Sequence, residues 1–500
     1  MNKTLVYLIF FAVYSAILLL IGKGSLRDSD SISKFFIGER KLTLWRCIAT
    51  FCGTWISAAS ILSVTGSVYE SGYAVLIFSV FPWFIGGFLL IGISDRLYDN
   101  DIITIPELFY KRYNSKGLQV VYAIIFIFVY IFYLVIQIKG FGIVASTLFG
   151  IPYTISVLLV YLFILYTTFG GYRSVTRSDA FNLILLIISL AVLFITITSR
   201  AGGLSAIHTG AEQISGYAHA GMDYPTEPGD LLKAFGKGSF APLMNLSMFF
   251  GWGLGLAANP QYTVRMVSAK NRKTAKQAVI LSLVLLVFVY FALSQIGLGM
   301  RVMIPALSAV DTTDEIFTYI LNNNLYSRWS GFFFFSIIGA CISTANSQLL
   351  LIASSFSYDI VHTLSRKPRS ESTLLGLSRL SILAGGTISL LLAISPPASL
   401  LTYGGDIWGV ISSTLFPTMY ATLLFKRTTR TGVWASLITG ALSIAVFYPL
   451  YYAKLLPFHP ALPGVLLSSL ALFIGSFLTR TLASSQQILP EAPAGKDDAI

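Results

Sequence analysis

Charge is what this chain most lacks. Asp, Glu, Lys and Arg make up 11% of its 500 residues, against roughly 25% in soluble globular domains. Hydrophobic residues account for 55%, and the mean hydropathy is +0.75. So few charges cannot cover the surface of a water-exposed fold of this size, which excludes the soluble class. Cysteine is scarcer still. Cys47 and Cys52 share one apolar stretch and Cys341 lies in another, which gives no disulfide framework and points to reduced, buried packing residues. The four histidines, His208, His219, His362 and His459, fall outside the centres of the apolar stretches, and no zinc-type grouping emerges. The stretches also hold no acid–base or nucleophile constellation, which makes a membrane enzyme the weakest reading. The net charge of +12 is spread over short loops between apolar stretches. That distribution suits the lipid bilayer as partner, not nucleic acid.

What is abundant is apolar sequence long enough to cross a bilayer, roughly 20 residues at a time. Spans are predicted near 4–22, 47–72, 74–94, 117–147, 151–171, 179–199, 240–264, 277–300, 331–361, 374–395, 402–425, 431–451 and 462–480, about thirteen transmembrane helices in an all-α polytopic protein. The first follows Lys3 and resembles a signal peptide, but Ala16–Gly22 offers no convincing cleavage site, so it is kept as a span. Lys and Arg gather after spans one, three, five, seven, nine and eleven; Arg265, Lys270, Arg272, Lys273 and Lys276 form the group after span seven. This alternation predicts the N-terminus outside and the C-terminus in the cytoplasm of an inner-membrane protein. Residues 314–321 (DEIFTYIL) read as a short interfacial helix outside, and the polar segment 481–500 as a disordered cytoplasmic tail with no appended catalytic or signalling domain.

Three patches interrupt the apolar pattern. Span two carries Gly53-Thr54-Trp55-Ile56-Ser57-Ala58-Ala59-Ser60, and span seven carries Gly251-Trp252-Gly253-Leu254-Gly255-Leu256-Ala257-Ala258-Asn259-Pro260. Either alone fits close helix packing or a kink. Together they open two five-span blocks, 47–199 and 240–425, and interruptions at matching positions of two halves point to a transporter binding site. Span nine carries Gly339-Ala340-Cys341-Ile342-Ser343-Thr344-Ala345-Asn346-Ser347. Its hydroxyls suit either back-bonding to carbonyls one turn earlier or a cation site, since sodium is a hard ion that takes oxygen ligands. Asp179 suits either an N-cap at the start of span six or a further carboxylate for the ion.

At these residues the sequence resembles the sodium:solute symporter family, from about the second span to the twelfth. The stretches that carry the likeness are Ser63–Gly72; Ile103-Thr104-Ile105-Pro106-Glu107 with Lys111-Arg112-Tyr113; Gly170–Asp179; Ile342-Ser343-Thr344 with Ser347-Gln348-Leu349-Leu350, Ser354-Ser355 and Asp359; and Phe425–Thr429 with Gly432. They occur in the family's order. The resemblance implies a LeuT-type fold of five-plus-five inverted helices. Its parts would be an extra N-terminal helix and cytoplasmic loop (1–46), repeats at 47–199 and 240–425, an extracellular loop at 200–239, and two extra C-terminal helices at 426–480. It implies sodium on the carbonyls of Gly53, Ile56 and Ala340 and on the hydroxyls of Ser343 and Thr344. A second sodium site, present in some members, would fall on Asp179, Asn346 and Ser347. It places Trp55, Ser60, Gln137, Lys139, Trp252 and Asp406 at candidate solute positions.

Lys139 is the informative one, because an ammonium within a membrane helix is expensive. It either snorkels to the outer end of its span or faces the pocket, where it would suit a carboxylate solute. The expected function is sodium-coupled uptake of a small organic solute by alternating access, by a monomer. A passive or proton-coupled carrier or channel, and a transporter-shaped sensor working with a partner, are the competing readings.

Overall fold

The computed structural model describes residues 3–23, 31–327, 329–395 and 399–480. The segment expected to be a disordered tail, and Arg27, lie outside the described residues. Each predicted span meets a helix or a broken helix. In chain order these are α1 (Lys3–Lys23), α2 (Ile32–Ile37), α3 (Leu44–Trp55), α4 (Val64–Ser71), α5 (Phe81–Asp99), α6 (Ile105–Tyr113), α7 (Lys116–Phe149), α8 (Tyr153–Thr168), α9 (Gly171–Arg200) and α10 (Leu204–Gln213). They continue as α11 (Pro242–Met248), α12 (Leu254–Ala258), α13 (Pro260–Val267), α14 (Arg272–Met303), α15 (Thr313–Asn323), α16 (Ser330–Ser354), α17 (Glu371–Ala393), α18 (Leu400–Thr414), α19 (Phe416–Leu424), α20 (Arg430–Tyr452) and α21 (Ala461–Arg480). Among the described residues, nine helices are long and apolar enough to cross a membrane, and two broken pairs qualify when each is taken as one span.

The burial pattern is that of a bundle in lipid. Large apolar side chains such as Phe88, Phe128, Leu162, Phe288, Phe473 and Phe477 point outward, where hydrocarbon would meet them. The hydroxyl-bearing helix α16 is enclosed on all sides, packed between α7 and α9. Polar groups therefore gather at the centre, where they can satisfy one another.

Local sequence explains the bends. Helix α3 stops at Ile56, whose backbone is extended (φ −80°, ψ 106°), and a π-helical turn at Ala59–Ser63 leads into α4. The two limbs are bent by 64°. The seventh span is divided at Asn259 (φ −68°, ψ 121°), where Pro260 cannot supply the amide that would continue α12. Helices α18 and α19 meet at 43°, again just ahead of a proline, Pro417. Helix α15 answers the expected 314–321 helix, but it is seated in the bundle instead of lying on the interface. Asp314, Ile316, Phe317, Ile320 and Leu321 are buried. Gly66 of α4 makes the approach possible, since a Cβ there would lie 1.9 Å from the Thr313 carbonyl oxygen.

One end of the bundle collects most of the ion pairs between basic loops and helix ends. Arg40 meets Asp101 at 2.5 Å, Arg173 meets Glu39 at 3.6 Å and Arg272 meets Asp95 at 3.1 Å. The Lys41 hydrogen bond, helped by Lys34 and Arg173, holds the Glu39 carboxyl below its ordinary range. All three cysteines are buried and free.

Candidate sodium and solute site

The break after α3 creates the oxygen-rich centre of the molecule. Once Ile56 leaves the helix, the carbonyls of the last turn have no amide ahead of them. Gln137 of α7 steps into the break by accepting from the Ala58 amide (3.2 Å), and Gln261 of α13 donates its Nε2 to the Thr54 carbonyl (2.7 Å). From α16, the Thr344 hydroxyl oxygen lies 3.4, 3.5 and 3.4 Å from the carbonyl oxygens of Gly53, Thr54 and Ile56. One hydroxyl proton can serve only one of three carbonyls. A ring of neutral oxygens around a point with too few protons suits a hard cation. Ala340 is buried one turn before Thr344 on α16.

Next to this point sits a buried carboxylate. Asp179 accepts from Thr50 of α3 (2.5 Å) and from Ser343 of α16. Gly170 caps α9, so Asp179 lies more than two turns inside the helix and the N-cap reading falls. The α16 hydroxyls divide between the two readings open in the sequence. Ser347 back-bonds to the Ser343 carbonyl (2.9 Å), whereas Ser343 and Thr344 reach across to α9 and α3. Gly53 permits the close approach, because a Cβ there would lie 2.9 Å from Ser343 Oγ and 3.3 Å from Asp179 Cβ. Gly53→Ala should therefore displace Ser343 and raise the half-saturating sodium concentration severalfold, read as uptake against sodium concentration. The backbone carbonyl survives, so transport persists.

The second break supplies its own frame. Asn259 Oδ1 accepts from the Tyr130 hydroxyl of α7 (2.6 Å) and from the Gln261 amide (2.9 Å). That fixes the end of α12 against α7. Between the two breaks lies a cluster of rings. Trp55 packs on Tyr262 with centroids 5.2 Å apart, Trp83 on Trp252 at 5.1 Å, and Trp252 on Trp408 at 4.9 Å. Tyr290 closes on Trp83 at 5.5 Å, and its hydroxyl is 2.9 Å from Ser60 Oγ. The indole N–H groups of Trp83 and Trp252 are buried without an acceptor. Buried donors rarely stay unpaired, so these two stand ready to pair with a further group.

The structure thus brings Trp55, Ser60 and Trp252 together, and sets Gln137 at the break beside them. It takes Lys139 elsewhere. The Lys139 ammonium pairs with Asp314 of α15 at 2.9 Å. Asp314 also accepts from Ser63 (2.5 Å) and from the Leu400 amide (3.1 Å). The fully buried carboxylate is the anion that an ammonium at this depth needs. Asp406 likewise turns away, toward Tyr452 and His459. Sequence reasoning missed Thr50, Gln261, Tyr262, Tyr290 and Trp408. It also counted Arg265 as a loop charge, although the side chain is 2% exposed inside α13.

Residues 35–440 match the model of the Sodium:solute symporter family. The chain belongs to that family. The osmoregulated proline transporter OpuE of Bacillus subtilis is 25% identical over 488 residues, 96% of either chain. A sodium/proline symporter of Staphylococcus aureus is 24% identical over 494 residues, covering 94% of this chain and 92% of its own. Among solved structures, a substrate-bound, outward-open Na+-coupled sialic acid symporter superposes with a TM-score of 0.77 at 19% identity, covering 95% of this chain and 98% of that one. Mhp1, a nucleobase-cation-symport-1 family transporter in a closed conformation, gives 0.58 at 13% identity, covering 91% and 96%. This sodium:solute symporter therefore has the LeuT-type helical fold, is a multi-pass membrane transporter and not an enzyme, and takes up a small solute with sodium as the coupling ion.

Proposed function

We propose that this symporter moves one sodium ion together with a compact zwitterion of the proline class. Sodium would bind at Gly53, Ile56, Ala340, Ser343 and Thr344, with Asp179 setting the negative potential beside it. The single observation that carries the solute class is the ring cluster between the two broken helices, which offers aromatic faces and two unpaired indole N–H donors. Aromatic faces attract a cationic amine, and indole N–H groups donate to a carboxylate. With Lys139 held by Asp314, the rings and hydroxyls of this cluster supply no cation to balance a bare anion. The proline-transporting relatives point the same way.

Energetics agree with a zwitterion. Each charge moved through 100 mV is worth about 2.3 kcal/mol. A zwitterion travelling with one sodium carries that charge, whereas a monoanion travelling with one sodium carries none. We further propose repeats at 47–199 and 240–425 with a vertical order in which the basic end is cytoplasmic and the α15 end faces outside. That order puts the N-terminus outside, and we place the chain in the plasma membrane.

Thermal stability of the purified protein tests the solute class. Ligand that binds only the folded state stabilises by about 2.7 kcal/mol at a hundred times its Kd. Proline or a betaine should raise Tm in sodium and not in equal potassium. A rise with simple monocarboxylates alone, or with sialic acid alone, would contradict the zwitterion.

A further inference from the structure

Arg366, Lys367 and Arg369 are exposed cations that pair with no carboxylate among the described residues. Other basic side chains at the same end of the bundle are tied down, with Arg40, Arg173 and Arg272 held by Asp101, Glu39 and Asp95. The carboxylate nearest to the three in sequence, Glu371, accepts from the Ile32 amide instead (2.7 Å). The loop that carries the cations folds back on itself. Ser365 donates its amide (3.1 Å) and its hydroxyl (2.6 Å) to the Val361 carbonyl, and Arg369 Nε donates to Ser365 Oγ (3.3 Å). The outer nitrogens of the Arg369 guanidinium are left without a partner among the described residues. With Ile360, Val361 and Leu364, the loop walls an open cradle of about 780 Å³.

The apolar wall of the cradle continues toward the membrane. Helix α16 runs on past Ser354 as a π-helical segment, Ser355–His362, and along it and the turn that follows Phe356, Ile360 and Leu364 recur at every fourth residue. Phe356 and Leu364 are exposed and Ile360 is half-buried. Hydrocarbon would meet this strip just before the cations begin. An apolar strip that ends in unpaired guanidinium and ammonium groups complements an acyl chain that ends in an anionic headgroup. Arginine grips phosphate with two parallel N–H donors, and lysine adds a compact charge. Anionic lipids of the cytoplasmic leaflet attract basic segments beside a membrane helix. We infer that residues 356–369 form a seat for one anionic phospholipid of the cytoplasmic leaflet. Its acyl chains lie against Phe356, Ile360 and Leu364, and its phosphate rests on Arg366, Lys367 and Arg369. A free phosphate would use the cations and gain nothing from the strip, whereas a neutral phospholipid would use the strip and leave the cations unpaired.

The choice of leaflet rests on the vertical order proposed above; the seat itself does not. Titrating the full-length purified protein with phosphatidylglycerol, and counting bound lipids by native mass spectrometry, should show one tightly held lipid per chain. Phosphatidylcholine with the same acyl chains should bind far more weakly. Arg366→Gln combined with Lys367→Gln and Arg369→Gln should weaken phosphatidylglycerol by roughly 100-fold, at about fivefold for each basic residue near the surface. Leu364→Ser keeps every charge and should still weaken it severalfold. Lys426→Gln combined with Arg427→Gln and Arg430→Gln removes the same charge from another basic loop and should retain the lipid. Equal loss in the two triple variants would reduce the seat to non-specific charge and overturn the inference, as would equal binding of the two lipids. Displacement of the lipid by an equal concentration of inorganic phosphate would overturn a phospholipid as the occupant. In right-side-out vesicles, Lys367→Cys should resist a membrane-impermeant maleimide, and in inverted vesicles it should react, since the three native cysteines are buried. Labelling from the outer face would overturn the leaflet and the vertical order together, while the lipid count still judges the seat.

Discussion

Replacing Thr344 with alanine should raise the sodium concentration needed for half-maximal uptake by roughly 10- to 100-fold, while the protein stays folded. The hydroxyl oxygen lies within 3.5 Å of three carbonyl oxygens released by the break after α3. It is a side-chain oxygen brought to that break from α16. A hydrogen-bond-strength contact to a charged group contributes about 1.5–3 kcal/mol, and each 1.4 kcal/mol is tenfold in affinity, which gives the range. Thr344→Ser keeps the oxygen and should keep most of the affinity. Uptake measured over a sodium series, with expression and thermal stability checked alongside, reads the effect. Unchanged sodium dependence in Thr344→Ala would move the ion away from the break.

The largest loss of stability should come from Asp314→Ala. This carboxylate is fully buried and holds Lys139, Ser63 and the Leu400 amide, so it ties α15 to α7, to the turn leading into α4 and to α18 at once. Removing one partner of a buried ion pair costs about 3–5 kcal/mol, because the other charge is left uncompensated. The double change Asp314→Ala with Lys139→Met should recover much of that loss, since it removes the stranded charge together with the carboxylate. Lys139→Gln alone should lower stability without altering solute preference. Thermal melting of these three purified variants beside the native protein, with and without solute, checks both statements. A double variant no better than Asp314→Ala would mean that Ser63 and Leu400, and not the ion pair, dominate the clamp.

Much of this architecture can be read from the chain because the bilayer imposes strong rules on it. Apolar length marks the spans, and the interrupted patches at 53–60 and 251–260 mark where helices stop, since an unbonded backbone at that depth needs a protein-lined cavity. Thr344 and Ser343 are legible as hydroxyls inside an apolar span. What stays hidden is which residue reaches across to which. Lys139 shows its need for an anion, but Asp314 lies 175 residues later in a segment that reads as an amphipathic surface helix. Arg265 sits six residues after Asn259, in a cluster with Lys270 and Arg272 that looks like a loop. The missed clue is Pro260, which starts a new helix and carries Gln261 and Arg265 on one face at i and i+4. Asp179 follows a loop-like arginine pair, and only the extension of α9 back to Gly171 shows that it is deep within a helix.

The central claim is that uptake is driven by sodium bound at the α3 break. Proteoliposomes containing the purified protein, loaded with potassium and diluted into sodium with labelled proline, test it most directly. The account predicts transient accumulation above the external concentration, abolished when the sodium gradient is collapsed with an ionophore and strongly weakened in Thr344→Ala. Equal uptake from sodium and potassium media, with no accumulation in either, would contradict it and leave a passive carrier.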